Sequence, residues 1–363
     1  MAMFLAIFGR SRFVFAVWHI KILPMGNILV ISNCRLGDSL VMIPALRSIK
    51  AQWPEARITL MSEATGAGIV SAEEILGGRG LVEEFVKMPF EGGFFRRLLR
   101  RLQCFRQMRR SAWDCGVVLL PPCPPLTMRL VKRLRLYLRL CGCRRIIAPQ
   151  AIAPFERNAD GALKPMPQAA ELMLETLSSQ GIMPVRDGTL PPLDRPSGIV
   201  PLPEKKHLAV APGANMPVKC WPLENYAVVL REMLAGYDLY PVYFAGENER
   251  GLCEELNRMV PGETVIGRPM PEVEGAMRQC RAYFGNDTGL IHLAASLGLP
   301  CIGIYANRDA PGLWEPYAAR KLVFWPKAAS CSGCHCTICP RRCIDEIRPQ
   351  QVLEAIKESG ILQ

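Results

Sequence analysis

The chain has 363 residues, a length that is sufficient for two domains with complete hydrophobic cores. Half of its residues are apolar and 21% are charged, a composition that excludes an intrinsically disordered protein. The formal net charge of +11 favours an anionic partner, which is nucleic acid, an anionic membrane surface or a phosphorylated substrate.

Residues 1–24 are apolar, but Arg10 and Arg12 interrupt them, so no run reaches the roughly 20 residues that span a bilayer. They also lack a convincing cleavage site of a secretory signal. This N-terminal extension is interpreted either as a peripheral membrane segment or as the result of a start codon assigned too far upstream.

An alternation of strands and helices begins near residue 25. The stretch NILVIS (27–32) predicts a buried strand, and the following helix is predicted to begin near Asp38 or Ser39. ARITLMS (56–62) and WDCGVVLL (113–120) predict two later strands. Strands that alternate with helices indicate a parallel sheet with crossover helices, so residues 25–186 are assigned to a first Rossmann-like domain.

Residues 187–206 are rich in proline and are predicted to be a linker. Strands resume with HLAVAPG (207–213) and continue with LYPVYFAG (239–246) and PCIGIYA (300–306), in a second Rossmann-like domain assigned to 207–345. Residues 346–363 are assigned to a C-terminal helix. The predicted fold class is α/β with two doubly wound domains, whose ligands bind in a central cleft at the carboxyl ends of the strands.

The positive charge is concentrated between Phe94 and Arg145, which hold fourteen Lys or Arg residues and one acidic residue, Asp114. In residues 94–110 and 128–140, apolar residues recur between basic ones at helical spacing. Such helices can lie on a membrane with their arginines among lipid phosphates; the alternative is two solvated helix faces packed on a core. Nucleic acid is disfavoured, because no helix-turn-helix, zinc-finger or RNP-type pattern occurs. The residues assigned to an anionic acceptor or the membrane are Arg96, Arg97, Arg100 and Arg101.

The stretch YFGNDTGLIHLAASLGLP (283–300) predicts a strand end, a turn and a helix. Asn286 and Asp287 are cap-type residues, and Gly289 is expected to free the backbone. The unpaired N–H groups and the dipole of such a helix suit a phosphate, and His292 lies one turn after Thr288. The alternative is an ordinary capped helix with a buried histidine.

Ten of the fifteen cysteines are scattered, which is typical of a reducing compartment. The other five cluster in CSGCHCTICPRRC, residues 331–343. A C-x2-C-x4-C-x3-C spacing is compatible with zinc or an iron–sulfur cluster, with His335 as a further ligand. The alternative is a structural or redox thiol patch. The four cysteines in that spacing are Cys331, Cys334, Cys339 and Cys343.

Taken together, these segments resemble glycosyltransferase family 9, the lipopolysaccharide heptosyltransferases. The resemblance runs through ILVISNCRLGDSLVMIPALRSIK, APGANMPVKCWPLENYA, FAGENER, GNDTGLIHLAASLGLP and DAPGLWEPY. It implies the two-domain GT-B fold, inverting transfer from a nucleotide sugar and no cofactor for catalysis. Typical members use ADP-L-glycero-D-manno-heptose, and their acceptor is a lipid A/Kdo-type lipopolysaccharide. They are cytoplasmic and peripheral on the inner face of the inner membrane.

Sugar transfer needs a base for the proton of the acceptor hydroxyl and positive charge for the departing diphosphate. A diphosphate leaves without protonation, so one carboxylate can suffice, unlike the pair in most glycosidases. The resemblance implies that Asp38 is the base, that Lys219 binds the diphosphate and that Glu247 binds sugar or ribose hydroxyls. His292 matches the motif histidine.

The N–H groups of Thr288 and Gly289 are expected to form a second phosphate site. Asp287 would repel an anion, so it is assigned to helix capping or to orienting a hydroxyl or Lys219.

The chain departs from the family pattern at two positions. Cys220 follows Lys219 where many members have arginine, and residues 306–309 replace a common Gly-Pro-Thr-Asp segment. We hypothesise that Arg308 compensates for the missing charge. Two other readings stay open, namely a nucleotide-sugar epimerase or hydrolase of the same fold and a non-catalytic membrane- or metal-binding paralogue.

Overall fold

The computed structural model describes residues 25–33, 35–63, 70–88, 94–193, 201–327, 333–334 and 336–363. Five strands of its N-terminal half form one parallel sheet, and six strands of its C-terminal half form another. The first sheet contains β1 (Asn27–Ile31), β2 (Arg57–Glu63), β3 (Glu84–Met88), β4 (Cys115–Val118) and β5 (Arg145–Ile147). The second contains β6 (His207–Ala211), β7 (Tyr240–Ala245), β8 (Glu263–Ile266), β9 (Cys280–Asn286), β10 (Cys301–Ile304) and β11 (Lys321–Phe324).

Both sheets are doubly wound. The strand orders are β3-β2-β1-β4-β5 and β8-β7-β6-β9-β10-β11, and every pairing is parallel. The order reverses between β1 and β4 in the first sheet and between β6 and β9 in the second. Ligands of such sheets bind where the order reverses, at the carboxyl ends of the strands. The arrangement confirms the predicted fold class.

Helices cover both sheets. In the N-terminal half they are α1 (Leu36–Val41), α2 (Ile43–Gln52), α3 (Ala72–Leu76), α4 (Phe94–Arg110), α5 (Met128–Leu140) and α6 (Ala169–Ser178). In the C-terminal half they are α7 (Leu223–Tyr237), α8 (Arg250–Met259), α9 (Met270–Met277), α10 (Gly289–Ser296) and α11 (Pro349–Ser359). Helix α1 begins at Leu36, two residues before the predicted start, and α11 packs on α7. None of the described helices combines the length and the apolar character needed to cross a membrane.

The two halves are packed together by polar as well as apolar contacts. One apolar cluster contains buried residues of both halves, including α1 and α10. The guanidinium of Arg79, after α3, forms an ion pair with Glu274 of α9, and both side chains are buried. The backbone N–H of Met166 donates to Pro311, at 2.8 Å. Because α1 follows β1 and α10 follows β9, the contact between these two helices brings the two reversal points together.

Candidate active site

Helix α1, which follows β1, packs directly on α10, which follows β9. Glycines make the close approach feasible. A Cβ added at Gly289 would lie 2.7 Å from Cγ of Leu36, and one added at Gly37 would lie 3.0 Å from Cδ2 of His292. The expectation that Gly289 frees the backbone is wrong. Its φ is not among the positive values found at other glycines, so another residue could adopt its backbone conformation. Its lack of a side chain makes room for Leu36 instead.

Asp38 lies in the first turn of α1, beside the contact with α10. Its carboxylate accepts a hydrogen bond from the backbone N–H of Arg35, the N-cap residue that precedes the helix. Burial raises the pKa of Asp38, and the bond from Arg35 opposes this only in part. Asp38 thus bonds the start of its own helix, while burial makes its carboxylate more basic.

Lys219 and Asp287 form an ion pair at the reversal point of the second sheet. Lys219 ends a short 3-10 helix, Pro217–Lys219, in the loop after β6, and Asp287 directly follows β9. Their Nζ and Oδ2 atoms are 2.5 Å apart, and the two side chains are only 14% and 11% exposed. Asp287 therefore fixes the position of the lysine ammonium group.

Helix α10 begins at Gly289, and its N-cap is Thr288, whose hydroxyl accepts from the N–H of Leu290 at 3.3 Å. Asn286 and Asp287, predicted as cap-type residues, make other contacts. The first backbone N–H groups of α10 point toward the cleft next to the Lys219–Asp287 pair, as helix geometry requires. The positive end of this helix and the Lys219–Asp287 pair thus lie at the same place.

Asn286, which the sequence analysis named only as a cap-type residue, is a structural residue of the site. It is fully buried at the end of β9. Its amide nitrogen donates to the carbonyl of Pro212 at 2.6 Å, and its oxygen accepts from the hydroxyl of Tyr226 at 2.9 Å and from the N–H of Trp221 at 3.3 Å. These bonds hold the loop that carries Lys219. A buried amide next to an acidic residue at a strand end is the sequence signal that points to it.

His292 is 5% exposed, and burial lowers its pKa to about 4. It is therefore neutral at physiological pH. Its Nδ1 has no hydrogen-bond partner within the described residues. The ring lies against Gly37, so this histidine links the helix of Asp38 to the helix end beside Lys219.

Two glutamates follow β7 in the short helix Glu247–Glu249. Glu247, the predicted donor-side residue, is exposed and pairs with Arg250 at 2.7 Å. Glu249 instead lies against the loop of Lys219, because a Cβ added at Gly213 would be 3.0 Å from its side chain. Glu249, which the sequence analysis did not name, thus lies against the loop of Lys219.

The cysteine-rich segment runs across two loops of the site. The N–H of Val218 donates to the carbonyl of Thr337 at 3.3 Å, and the guanidinium of Arg308 donates to the carbonyl of Cys336 at 2.8 Å. Arg342 donates to the carbonyl of Cys220 at 3.2 Å. The segment thereby connects the loop of Lys219 with the loop after β10.

Three of the four cysteines in the predicted metal-ligand spacing lie within the described residues. Among the described residues, no group of three or more His, Cys, Asp or Glu side chains could hold a metal ion. Cys331 and His335 lie outside the described residues, so the metal site remains a prediction. Cys334 and Cys339 are half-buried and Cys343 is buried.

The predicted acceptor-facing arginines lie in the N-terminal half of α4. Arg96, Arg100 and Arg101 are exposed, whereas the side chain of Arg97 lies outside the described part.

Comparisons with known proteins agree with this geometry. The model of glycosyltransferase family 9 (heptosyltransferase) matches residues 180–344. Lipopolysaccharide heptosyltransferase 2 of Escherichia coli K12 is 23% identical over 91% of this chain and 97% of its own length. The solved family 9 glycosyltransferase of Veillonella parvula has a TM-score of 0.66 at 16% identity, over 94% of this chain and 98% of that one. Escherichia coli heptosyltransferase WaaC with ADP has a TM-score of 0.62 at 17% identity, over 92% and 99%.

The solved structures share the GT-B fold with this chain, and the family model and the curated relative extend the agreement to its sequence. The chain is therefore a glycosyltransferase whose residues 180–344 match family 9, the heptosyltransferase family, and which is similar to a lipopolysaccharide heptosyltransferase over 91% of its length.

Proposed function

We propose that this enzyme transfers a heptose, with inversion, from ADP-L-glycero-D-manno-heptose to the inner core of lipopolysaccharide, and that Asp38 is the general base. The observation that carries the proposal is the contact of Gly37 with His292. It sets the turn of Asp38 beside the helix end and the ion pair that suit a diphosphate. This contact supports a mechanism in which the base and the leaving group act from opposite sides of one cleft.

In this mechanism Asp38 takes the proton of the acceptor hydroxyl as that oxygen attacks the anomeric carbon of the donor. Burial raises the pKa of Asp38, and a more basic carboxylate removes the proton more effectively. The bond from Arg35 keeps the carboxylate oriented. A positioned base of this kind contributes roughly 100- to 10,000-fold in rate.

The departing diphosphate gains its stabilisation from Lys219 and from the first N–H groups of α10, at Thr288 and Gly289. Asp287 holds Lys219 at 2.5 Å and so keeps the ammonium group in place before the donor binds. Glu247 is assigned to sugar or ribose hydroxyls, and Glu249 is a second carboxylate at the same loop. The related WaaC was solved with ADP, which supports an ADP-linked donor.

The acceptor, a lipid A/Kdo-type lipopolysaccharide, is anionic, and the basic residues 94–145 offer it complementary charge. Arg96, Arg97, Arg100 and Arg101 are the proposed contacts. The protein would act at the cytoplasmic face of the inner membrane as a peripheral protein. No cofactor enters this reaction, and any zinc or iron–sulfur cluster at the cysteine-rich segment would be structural.

The test is ADP release from ADP-heptose with and without a truncated Kdo-lipid A acceptor. We expect release that depends on the acceptor and that Asp38→Asn lacks. The matched control is Glu224→Gln, an exposed first-turn carboxylate of α7, which should behave as wild type. Donor turnover without acceptor would favour the hydrolase or epimerase. No release by a folded protein would contradict ADP-heptose as the donor.

A further inference from the structure

The N-terminal half of α4 is exposed to solvent. Every described side chain from residue 95 to residue 103 is exposed, whereas Met108 near the other end of the helix is buried. Phe105 is half-buried and contacts Tyr137 of α5, with ring centroids 5.8 Å apart. The C-terminal half of α4 is thus packed on the protein, whereas the described side chains of residues 95–103 are exposed to solvent. Isolated short helices are marginal in water, so a helix half of this kind is expected to have a further packing partner.

The exposed half carries an apolar stripe. Its members are spaced i, i+3, i+4 and i+7, which places them on one face of the helix. Their exposed fractions are 78%, 46%, 61% and 44% for Phe95, Leu98, Leu99 and Leu102. Contiguous large apolar side chains at such exposure mark an interaction surface.

Positive charge flanks this stripe. Arg96 and Arg100 lie on one side of it, and Arg109 and Arg110 continue the charge along the helix. Neither α4 nor α5 contains an acidic residue. An apolar face bordered by arginines, in helices without any acidic residue, is suited to the boundary between acyl chains and anionic headgroups.

The position of the stripe relates it to the active site. Helix α4 follows β3, and α1 with Asp38 follows β1; both strands run parallel in one sheet. The N-terminal half of α4 and Asp38 therefore lie toward the same carboxyl edge. A membrane that binds the stripe would therefore face the side of the N-terminal half on which Asp38 lies.

We propose that the apolar stripe of α4 inserts into an anionic bilayer and that the flanking arginines bind lipid phosphates. This inference deepens the proposed function and rests on its lipid-linked acceptor. Insertion would hold the cleft close to the membrane surface, where the sugar of a lipid-anchored acceptor extends from the headgroups.

The experiment compares Leu99→Trp with Met183→Trp in the full chain, because Met183 is 76% exposed outside α4. Each protein is mixed with vesicles of phosphatidylethanolamine and phosphatidylglycerol whose acyl chains carry bromine as a quencher. After subtraction of wild-type emission, we expect a blue shift and strong quenching at position 99 and neither at position 183. Because this readout is local, binding by residues 1–24 does not mimic it. Absence of a shift at position 99 on vesicles would overturn the proposal.

A second variant, Leu98→Gln with Leu99→Gln, tests the consequence for activity. We expect about tenfold or greater loss of turnover on acceptor embedded in vesicles and unchanged turnover on acceptor dispersed in detergent. Equal loss on both would overturn the proposal, whereas absence of turnover in wild type would contradict the proposed function alone. If the variant instead converts a dimer into a monomer and position 99 is not quenched, the stripe binds a second copy and the proposal is wrong.

Discussion

Leu36 of α1 occupies the space that a side chain at position 289 of α10 would need. A Cβ on Gly289 would lie 2.7 Å from Cγ and 2.8 Å from Cβ of Leu36. The two helices follow strands of different sheets, so this contact fixes the distance between Asp38, the proposed base, and the proposed diphosphate site.

Gly289→Ala should therefore separate α1 from α10. We expect a loss of stability of about 1–3 kcal/mol, as for other overpacked contacts, together with a larger fall in turnover than in ADP binding. Leu36→Ala in the same chain should restore part of both. Differential scanning calorimetry and steady-state kinetics measure the two effects. Gly236→Ala is the control, because a Cβ there meets open space. If Leu36→Ala does not restore stability or turnover, the contact with Leu36 is not the cause of the loss.

Asp38→Asn should stabilise the protein while it abolishes turnover. Burial raises the pKa of Asp38 above its ordinary 3.8, so the folded chain holds the charged carboxylate less favourably than the unfolded chain does. The stability gained by removing that charge should be complete at pH 8. It should shrink as the pH falls through the raised pKa and vanish below 3.8.

Thermal unfolding followed between pH 8 and pH 4 measures this effect. Glu224→Gln, at an exposed first-turn position of α7, should show little change at any pH. A lower Tm of Asp38→Asn throughout would mean that the bond from Arg35 outweighs the burial of the charge.

Lys219→Ala should weaken ADP binding by roughly 10- to 100-fold, because a charge-assisted contact to the diphosphate is lost. Asp287→Asn should have a smaller effect, since it leaves the ammonium in place but no longer fixed at 2.5 Å. Titration calorimetry with ADP gives the dissociation constants. Asp38→Asn is expected to bind ADP as wild type does; equal weakening in Asp38→Asn and Lys219→Ala would mean that the base is misassigned.

Arg308→Ala should weaken ADP binding several-fold. The guanidinium donates a hydrogen bond to the carbonyl of Cys336 at 2.8 Å. It therefore helps to hold the cysteine-rich segment against the loop of Lys219. Arg341→Ala, an exposed arginine of the same segment, serves as the control. An unchanged dissociation constant would contradict both the compensating charge and this indirect effect.

The sequence was most informative where structure depends on local pattern. The periodicity of residues 94–110 and 128–140 predicted α4 and α5 with the same limits that the structure shows. Alternation of apolar strands with helices predicted two doubly wound sheets, because that pattern has few other solutions. The motif around Asp287 indicated a helix end suited to phosphate, since caps and turns are short-range features.

Contacts between segments distant in the chain could be read only from the tertiary structure. Three contacts join elements that no local pattern relates. They are the packing of Leu36 on Gly289, the bonds of Asn286 to the loop of Lys219 and the packing of Glu249 against that same loop. The buried ion pair of Arg79 with Glu274 spans 195 residues. The residue types of the site were thus determined by the sequence itself. Their distances were decided by packing, because close approach depends on which side chains are absent as much as on which are present.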